Sequence, residues 1–388
     1  MSPPRLLLIG PGHANLLVLE ALARRRLPQA EVVLVSPETT QVYSGMVPGF
    51  IEGRYQSDEI AIDLGRLARA AACRLVAGRV ARIDSRASTA TLEDGTVVPY
   101  DVASVAVGGA PPGSGIKGAM VHALSAKPID RAIALVEALD RLAAEPRPEP
   151  RRLIVIGAGA GAVEAELALC ARARLDRQGA SDVIISILDA RSELFGGRLP
   201  AWSDLLARVL AEHDVTLRLG VGAAEVGPDF VRLSDGRVQP ADLVLCAAAP
   251  HAPALFRAAE LPVDAHGFLL VDDTLRVQDC PGLFGAGDGV TLASAPRNPW
   301  AGGVAVRTGE VLVRNLASAL AGRGGYRHYQ PSDRHLALLN AGDGRALLFY
   351  GPVALVSRWA MRLKDHIDRR FMTRFPRPPG GTAAGGGS

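Results

Sequence analysis

The sequence has no closely spaced pair of cysteines. Its four, Cys73, Cys170, Cys246 and Cys280, lie far apart, with neither a CxxC nor a CxxxxC spacing. That pattern fits a reducing compartment and argues against a relay between neighbouring thiols. Charge of either sign is not in excess: 43 Lys and Arg face 40 Asp and Glu, for a net +3. RNP, zinc-knuckle and C2H2 patterns are missing too, so no nucleic-acid partner is expected, and no metal centre. No apolar run approaches the roughly 20 residues that cross a bilayer. The apolar stretch at 6–9 is too short for a secretory signal core, and a cytoplasmic protein is expected. What the chain does have is 48% apolar residues over 388 positions, enough for sizeable cores in two or three domains.

The stretch 5–20, RLLLIGPGHANLLVLE, organises the rest. Residues 6–9 suit a buried parallel strand, Gly10-Pro11-Gly12 a sharp turn, and helical spacing begins at His13. This strand, glycine turn and helix open a dinucleotide fold. Gly10 permits the tight turn, and Gly12 lets a pyrophosphate approach the backbone. The helix N-terminus adds free N–H groups and a positive dipole end. His13 on this turn suits a phosphate or backbone contact better than a base. Asn15 replaces the third glycine, so the motif is GxGxxN, a weak signal alone. A second strand at 31–35 ends at Ser36, where an acidic residue usually grips a ribose; the contact here is expected to be weaker or made by backbone.

Residues 43–49 (YSGMVPG) hold too many turn formers for a helix or central strand and read as a loop. Residues 74–83 read as one strand, and 89–98 as a hairpin about Asp94-Gly95. An apolar strand at 102–107 ends at Gly108-Gly109. The Pro/Gly-rich 110–118 marks a crossing between domains, 129–144 has helical periodicity, and 145–150 (EPRPEP) is a stiff connector.

The opening then repeats. A strand at 153–156 runs into GxGxxA at Gly157, Gly159 and Ala162, then a helix at 163–174 and a strand at 183–188 with Asp189 at its end. Here the acidic ribose partner is present. Asp94-Gly95 is followed by Pro99 and Asp101, and Asp235-Gly236 by Pro240 and Asp242, at identical offsets and each before an apolar strand. Two glycine turns with the same downstream hairpin point to two nucleotide-binding domains. Later, GAGD at 285–288 presents one carboxylate, Asp288, either as a helix cap or for sugar and ribityl hydroxyls. Helical spacing runs from 304 to 320. At 356–375, Trp359, Leu363, Ile367 and Phe371 recur every fourth residue, with six basic and two acidic residues around them. Such a helix could lie on an anionic membrane or pack on the protein. The Gly/Pro/Ala-rich end reads as a disordered tail or linker.

In this order the motifs resemble the two-dinucleotide-binding-domain flavoproteins of the pyridine nucleotide-disulfide oxidoreductase family. Lacking a redox cysteine pair, the chain is similar to the type II NADH dehydrogenase branch. Gly12-His13-Ala14, 43–49, Lys127-Pro128-Ile129-Asp130 and 364–372 (KDHIDRRFM) also resemble the flavoprotein module fused ahead of selenophosphate synthetases. That subgroup often shows Pro-Lys-Ala-Gly where Trp300 stands here. Sulfide:quinone oxidoreductases share the layout but need cysteines beside the flavin; Cys170 and Cys280 read as structural.

The resemblance implies an α/β fold of two Rossmann-like domains, the second inserted in the first, plus a small C-terminal region. The expected parts are 1–115 and 256–325 for FAD, 116–255 for NAD(P)H, 326–376 at the C-terminus with its basic amphipathic helix, and the tail 377–388. FAD would meet Gly10, Gly12, His13, Ala14, Asn15, Ser36, Gly108, Gly287 and Asp288, with Tyr43, Ser44 and Gly45 along its ring. NAD(P)H would meet Gly157, Gly159 and Asp189. Asp189 favours NADH, since it accepts from a ribose 2′-OH and repels a 2′-phosphate, though Arg191 pulls the other way. Glu164 would lie near the nicotinamide carboxamide, or be an ordinary helix N-terminal carboxylate. Lys127 would stabilise reduced flavin, or be a solvated loop lysine. The expected activity is hydride transfer from NADH to flavin N5, then electron transfer to a quinone-like acceptor. A selenium compound as acceptor and a redox-sensing interaction protein are the alternatives. Peripheral contact with the cytoplasmic face of a membrane through 356–375 is expected on the same footing, and a homodimer is left open.

Overall fold

The computed structural model describes residues 2–111, 113–157, 162–180, 182–197, 199–247, 251–295, 302–332 and 336–378, without the side chains of 162–165, 196–197 and 302–305. Two parallel sheets dominate it. The first has the strand order Leu283–Gly285, Val102–Val105, Arg5–Ile9, Glu31–Ser36, Cys73–Ala77, all parallel. Leu6, Leu7, Leu8 and Ile9 are each at most 1% exposed, as a central strand covered on both faces requires. The second sheet runs Val215–Leu219, Val183–Asp189, Arg151–Gly157, Leu243–Cys246, also parallel. Because Leu283–Gly285 returns to the first sheet after the second is complete, the second unit is inserted in the first.

The identical hairpin offsets have a mechanical reason. Asp101 accepts the Arg5 N–H at 2.7 Å and donates its own N–H to the Arg5 carbonyl at 3.0 Å. Asp242 does the same with Arg152, at 2.7 and 2.9 Å. Each aspartate thus fastens the start of the central strand of its sheet. Both antiparallel three-stranded hairpin sheets even slip register at the same place, between Val80 and Arg82 and between Ala223 and Glu225.

Three local expectations are corrected. Residues 74–83 are not one strand: Gly78, at φ +155°, divides Cys73–Ala77 from Val80–Asp84, which belong to different sheets. Within 43–49 a short helix, Val47–Glu52, does begin, because Pro48 falls in its first turn, where a missing N–H leaves no hydrogen bond unmade. And 356–375 is not helical throughout: Val353–Ser357 is a strand of a three-stranded sheet with Ala337–Asn340 and Ala346–Tyr350, and Ser357 then caps the helix Arg358–Met372.

That last helix also turns a different face inward than its apolar stripe suggests. Lys364, Asp368, Phe371 and Met372 are buried, while Trp359 is 52% and Ile367 40% exposed. A step of four residues advances about 40° round an α-helix, so three steps carry Trp359 and Phe371 onto different faces. The basic residues split likewise. Arg369 pairs with Glu59 at 2.7 Å and Arg374 with Glu20 at 2.6 Å, whereas Arg358, Arg362 and Arg370 meet no carboxylate among the described residues. The helix Gly302–Leu320 lies over His13–Ala23 so closely that a Cβ on Gly309 would stand 2.5 Å from Leu17.

Candidate functional site

The first glycine turn is held by backbone. Gly10 donates to Val35 O and Gly12 to Ala106 O, each at 2.9 Å. A Cβ on Gly10, which sits at φ +81°, would lie 2.7 Å from Ala106 O, and one on Gly12 would overlap the same oxygen. Both glycines are therefore required by the neighbouring strand before any phosphate arrives. Ala14 packs against Gly309. Asn15 is fully buried: its amide donates to Gly10 O at 2.8 Å and accepts from Ser104 Oγ at 2.7 Å. Asn15 thus shapes the turn from beneath, with its polar atoms already engaged.

Opposite this turn two glycine segments meet. A Cβ on Gly289 would be 2.5 Å from Gly108 O, so the 107–109 and 287–289 segments touch through their backbones. Gly108 and Gly287, at φ +72° and +88°, have nothing within 4 Å of a would-be Cβ and border open space. No described group bonds the Asp288 carboxylate. Gly10, Gly12, Gly108, Gly287 and Asp288 together form a backbone-lined cradle with one free carboxylate, which fits a dinucleotide carrying sugar hydroxyls.

One side of this region is aromatic. The His13 ring lies edge-on to Tyr43 at 5.6 Å and tilted to Phe371 at 6.0 Å, and Tyr43 stacks on Phe371 at 4.5 Å. His13 Nε2 is sealed from solvent without a hydrogen-bond partner among the described residues. Burial, and then the Lys127 charge, push the imidazole down to about 3, so it is neutral and offers a phosphate no charge. Lys127 itself is exposed, with its charge near His13.

Beneath the aromatic wall is a buried ionic cluster whose members come from stretches far apart in the sequence. Lys364 Nζ donates to Gly45 O at 2.7 Å and to Asp368 at 3.0 Å, and lies 3.7 Å from Glu166. Tyr43 donates to the other Asp368 oxygen at 3.2 Å. Burial pushes the Glu166 carboxyl up to about 6, against the opposing pull of Lys364. Burial works to lower Lys364, but Glu166 and Asp368 outweigh it and hold the ammonium above its usual value. The cluster joins the C-terminal helix, the helix Ala162–Arg177 of the second unit, and the Tyr43-Ser44-Gly45 loop of the first.

In the second unit, Gly157 ends its strand directly beside Asp189 in register. Asp189 is buried, accepts the Arg191 N–H at 2.9 Å, and is raised by burial against that bond. Gly159 and Trp300 lie outside the described residues. Glu164 is in the first turn of the helix, its side chain likewise outside the description. The Ser36 hydroxyl is engaged in its own turn, donating to Glu38 O at 2.7 Å. Two residues past that strand, Glu38 carries a carboxylate that no described group bonds and that burial raises. It is the first acidic residue after the strand, two positions beyond Ser36.

All four cysteines are free thiols in buried positions. Burial pushes Cys73 up to about 12 and Cys170 well above its ordinary value. Neither is a nucleophile at neutral pH.

The fold and cradle define a two-nucleotide flavoprotein, and the sequence comparisons agree. Residues 4–309 match the family described as pyridine nucleotide-disulphide oxidoreductase. The chain belongs to this family of oxidoreductases, whose cofactors are FAD and NAD(P)H. Among curated relatives, an NADH dehydrogenase-like protein of Mycobacterium tuberculosis is 27% identical over 289 residues, 73% of this chain and 72% of its own length. Two solved structures share the fold. The sulfide:quinone oxidoreductase of Aquifex aeolicus has a TM-score of 0.79 at 19% identity, covering 96% of this chain and 91% of its own. The NDH2 of Plasmodium falciparum, solved in complex with NADH, has a TM-score of 0.76 at 12% identity, covering 97% and 99%.

Proposed function

We propose that the chain is an NADH dehydrogenase that passes electrons from bound FAD to a quinone. The observation that carries this reading is the pairing of Gly157 with a buried Asp189 at the end of the next strand. A carboxylate there accepts from a ribose 2′-OH and repels a 2′-phosphate. The names of the mycobacterial relative and of the two structural neighbours point the same way. When bound, FAD accepts the hydride and releases electrons onward. The chain's part is to hold and orient: Gly10, Gly12, Gly108, Gly287 and Asp288 for FAD, and Gly157, Gly159 and Asp189 for NADH, with Glu164 beside the nicotinamide. With Cys73 and Cys170 held as thiols, electrons pass to a diffusible acceptor rather than through a dithiol.

The test is an acceptor screen on the purified, FAD-loaded protein. We expect kcat/KM at least about tenfold higher for NADH than NADPH, roughly 1.4 kcal/mol of discrimination, with turnover on short-chain quinones. Preference for NADPH would show that Asp189 does not face the ribose. Turnover only on a selenium compound, the other acceptor considered, would overturn the quinone.

A quinone held in a bilayer requires contact with it. Trp359 and Ile367 are exposed on the C-terminal helix, and Arg358, Arg362 and Arg370, which meet no carboxylate among the described residues, add positive charge to it. We expect the protein to float with anionic vesicles at low salt, and a Trp359→Ser, Ile367→Ser double variant to stay in solution while remaining folded. Equal behaviour of the two proteins would remove the membrane role. Deleting the helix is a poorer test, because it takes Lys364 out of the buried cluster.

A further inference from the structure

A cavity of about 320 Å³ lies between the start of the C-terminal helix, the 341–345 turn and Arg54. Three arginines line it, Arg54, Arg358 and Arg362, together with the apolar Met361. Two carboxylates also line it, but each is already engaged. Asp343 is bound by Arg345 at 2.6 Å and lies 3.3 Å from His213 Nε2. Asp365 is bound by Arg369 at 3.0 Å and accepts from Tyr55 Oη at 2.7 Å. Arg54 reaches Glu52 at 3.4 Å. Arg358 and Arg362, one helical turn apart, have no partner among the described residues, so two guanidinium forks border the cavity uncompensated.

We propose that this cavity binds an organic phosphate. A phosphate dianion presents enough acceptor oxygens for two guanidinium forks at once, which a single carboxylate does not. The volume leaves room for more than the phosphate itself, and Met361 gives the organic part an apolar surface. Neither the nucleotide cradles nor the redox reaction is involved, so the site stands whether or not the electron acceptor is a quinone. The phosphate ester is either a soluble metabolite or the headgroup of an anionic lipid.

The test uses the full-length, FAD-loaded protein with NAD+ in excess, so that the nucleotide phosphate sites are filled. Glycerol 3-phosphate is titrated calorimetrically at fixed ionic strength, and retention on phosphatidic acid and phosphatidylcholine vesicles is measured in parallel. We expect one saturable site for glycerol 3-phosphate, weakened at least tenfold in R358Q/R362Q and unchanged in R370Q, whose arginine lies on the same helix away from the cavity. R358K/R362K, which keeps charge but loses the forks, should fall between. Arg54 is left in place, since Glu52 connects it through Asn340 to the buried cluster. Retention on phosphatidic acid that glycerol 3-phosphate displaces identifies the lipid headgroup. Saturable uptake without displacement identifies a soluble ester. Binding that survives R358Q/R362Q, or a wild-type protein showing neither uptake nor arginine-dependent retention, overturns the proposal.

Discussion

Replacing Lys364 by Met is expected to destabilise the protein by about 3–5 kcal/mol, the usual effect of removing one partner from a buried ion cluster. Glu166 and Asp368 would remain, both buried, without their common cation. The loss should depend on pH. Glu166 has a folded value of about 6 against an ordinary 4.5. Between those values the folded state binds more protons, so stability falls as pH rises through the window, by about 2 kcal/mol for this group. Lys364 is raised above its ordinary 10.5, so its contribution is fully present across pH 5–8 and is lost only in strong alkali. Removing it drives Glu166 higher, and the difference between variant and wild type should be larger at pH 8 than at pH 5. Denaturant titrations at both values check this. An equal loss at both would mean that Lys364 acts through packing alone. The variant should also release FAD more readily, because the Gly45 carbonyl loses its anchor.

Gly12→Val is expected to give a protein without flavin. The new Cβ would overlap the Ala106 carbonyl, which follows the strand Val102–Val105 and already accepts the Gly12 N–H at 2.9 Å. Neither side can yield without displacing a strand, so the turn opens by several kcal/mol of overpacking. Gly287→Ala is the informative comparison. It meets no atom within 4 Å and carries only the strain of its +88° φ, roughly 1–2 kcal/mol. It should fold and bind FAD weakly, because its methyl group would take up open space beside the cradle. Absorbance of the purified proteins near the flavin bands, with circular dichroism for the fold, separates the cases. Full flavin content in Gly287→Ala would move the cofactor away from that glycine.

The duplicated frame was legible because its signals are local. The glycine turns, the Asp-Gly hairpins and the aspartates six residues beyond each Gly all act within short stretches of chain. Asp189 was legible because its strand is uninterrupted. The ionic cluster was not, because Lys364, Glu166 and Gly45 come together only through tertiary packing, and a lysine on an amphipathic helix reads as solvated until its partners are known. The helix at 47–52 was missed because proline and glycine were counted as breakers without regard to position in the first turn.

The chain's far end closes its beginning. Glu20, in the first helix, is held by Arg374, and that helix is covered by Gly302–Leu320, while the first sheet gains an edge only with Leu283–Gly285. The second sheet is built within residues 151–246, with Leu124, made earlier still, bridging to Leu245 at its edge. During synthesis the second unit to be made is therefore the first that can complete its sheet. The N-terminal unit waits on the ribosome with an open edge and an uncovered helix until about three hundred residues have emerged. Aggregation during expression, and its relief by slower synthesis or chaperones, should accordingly be set by the N-terminal third of the chain.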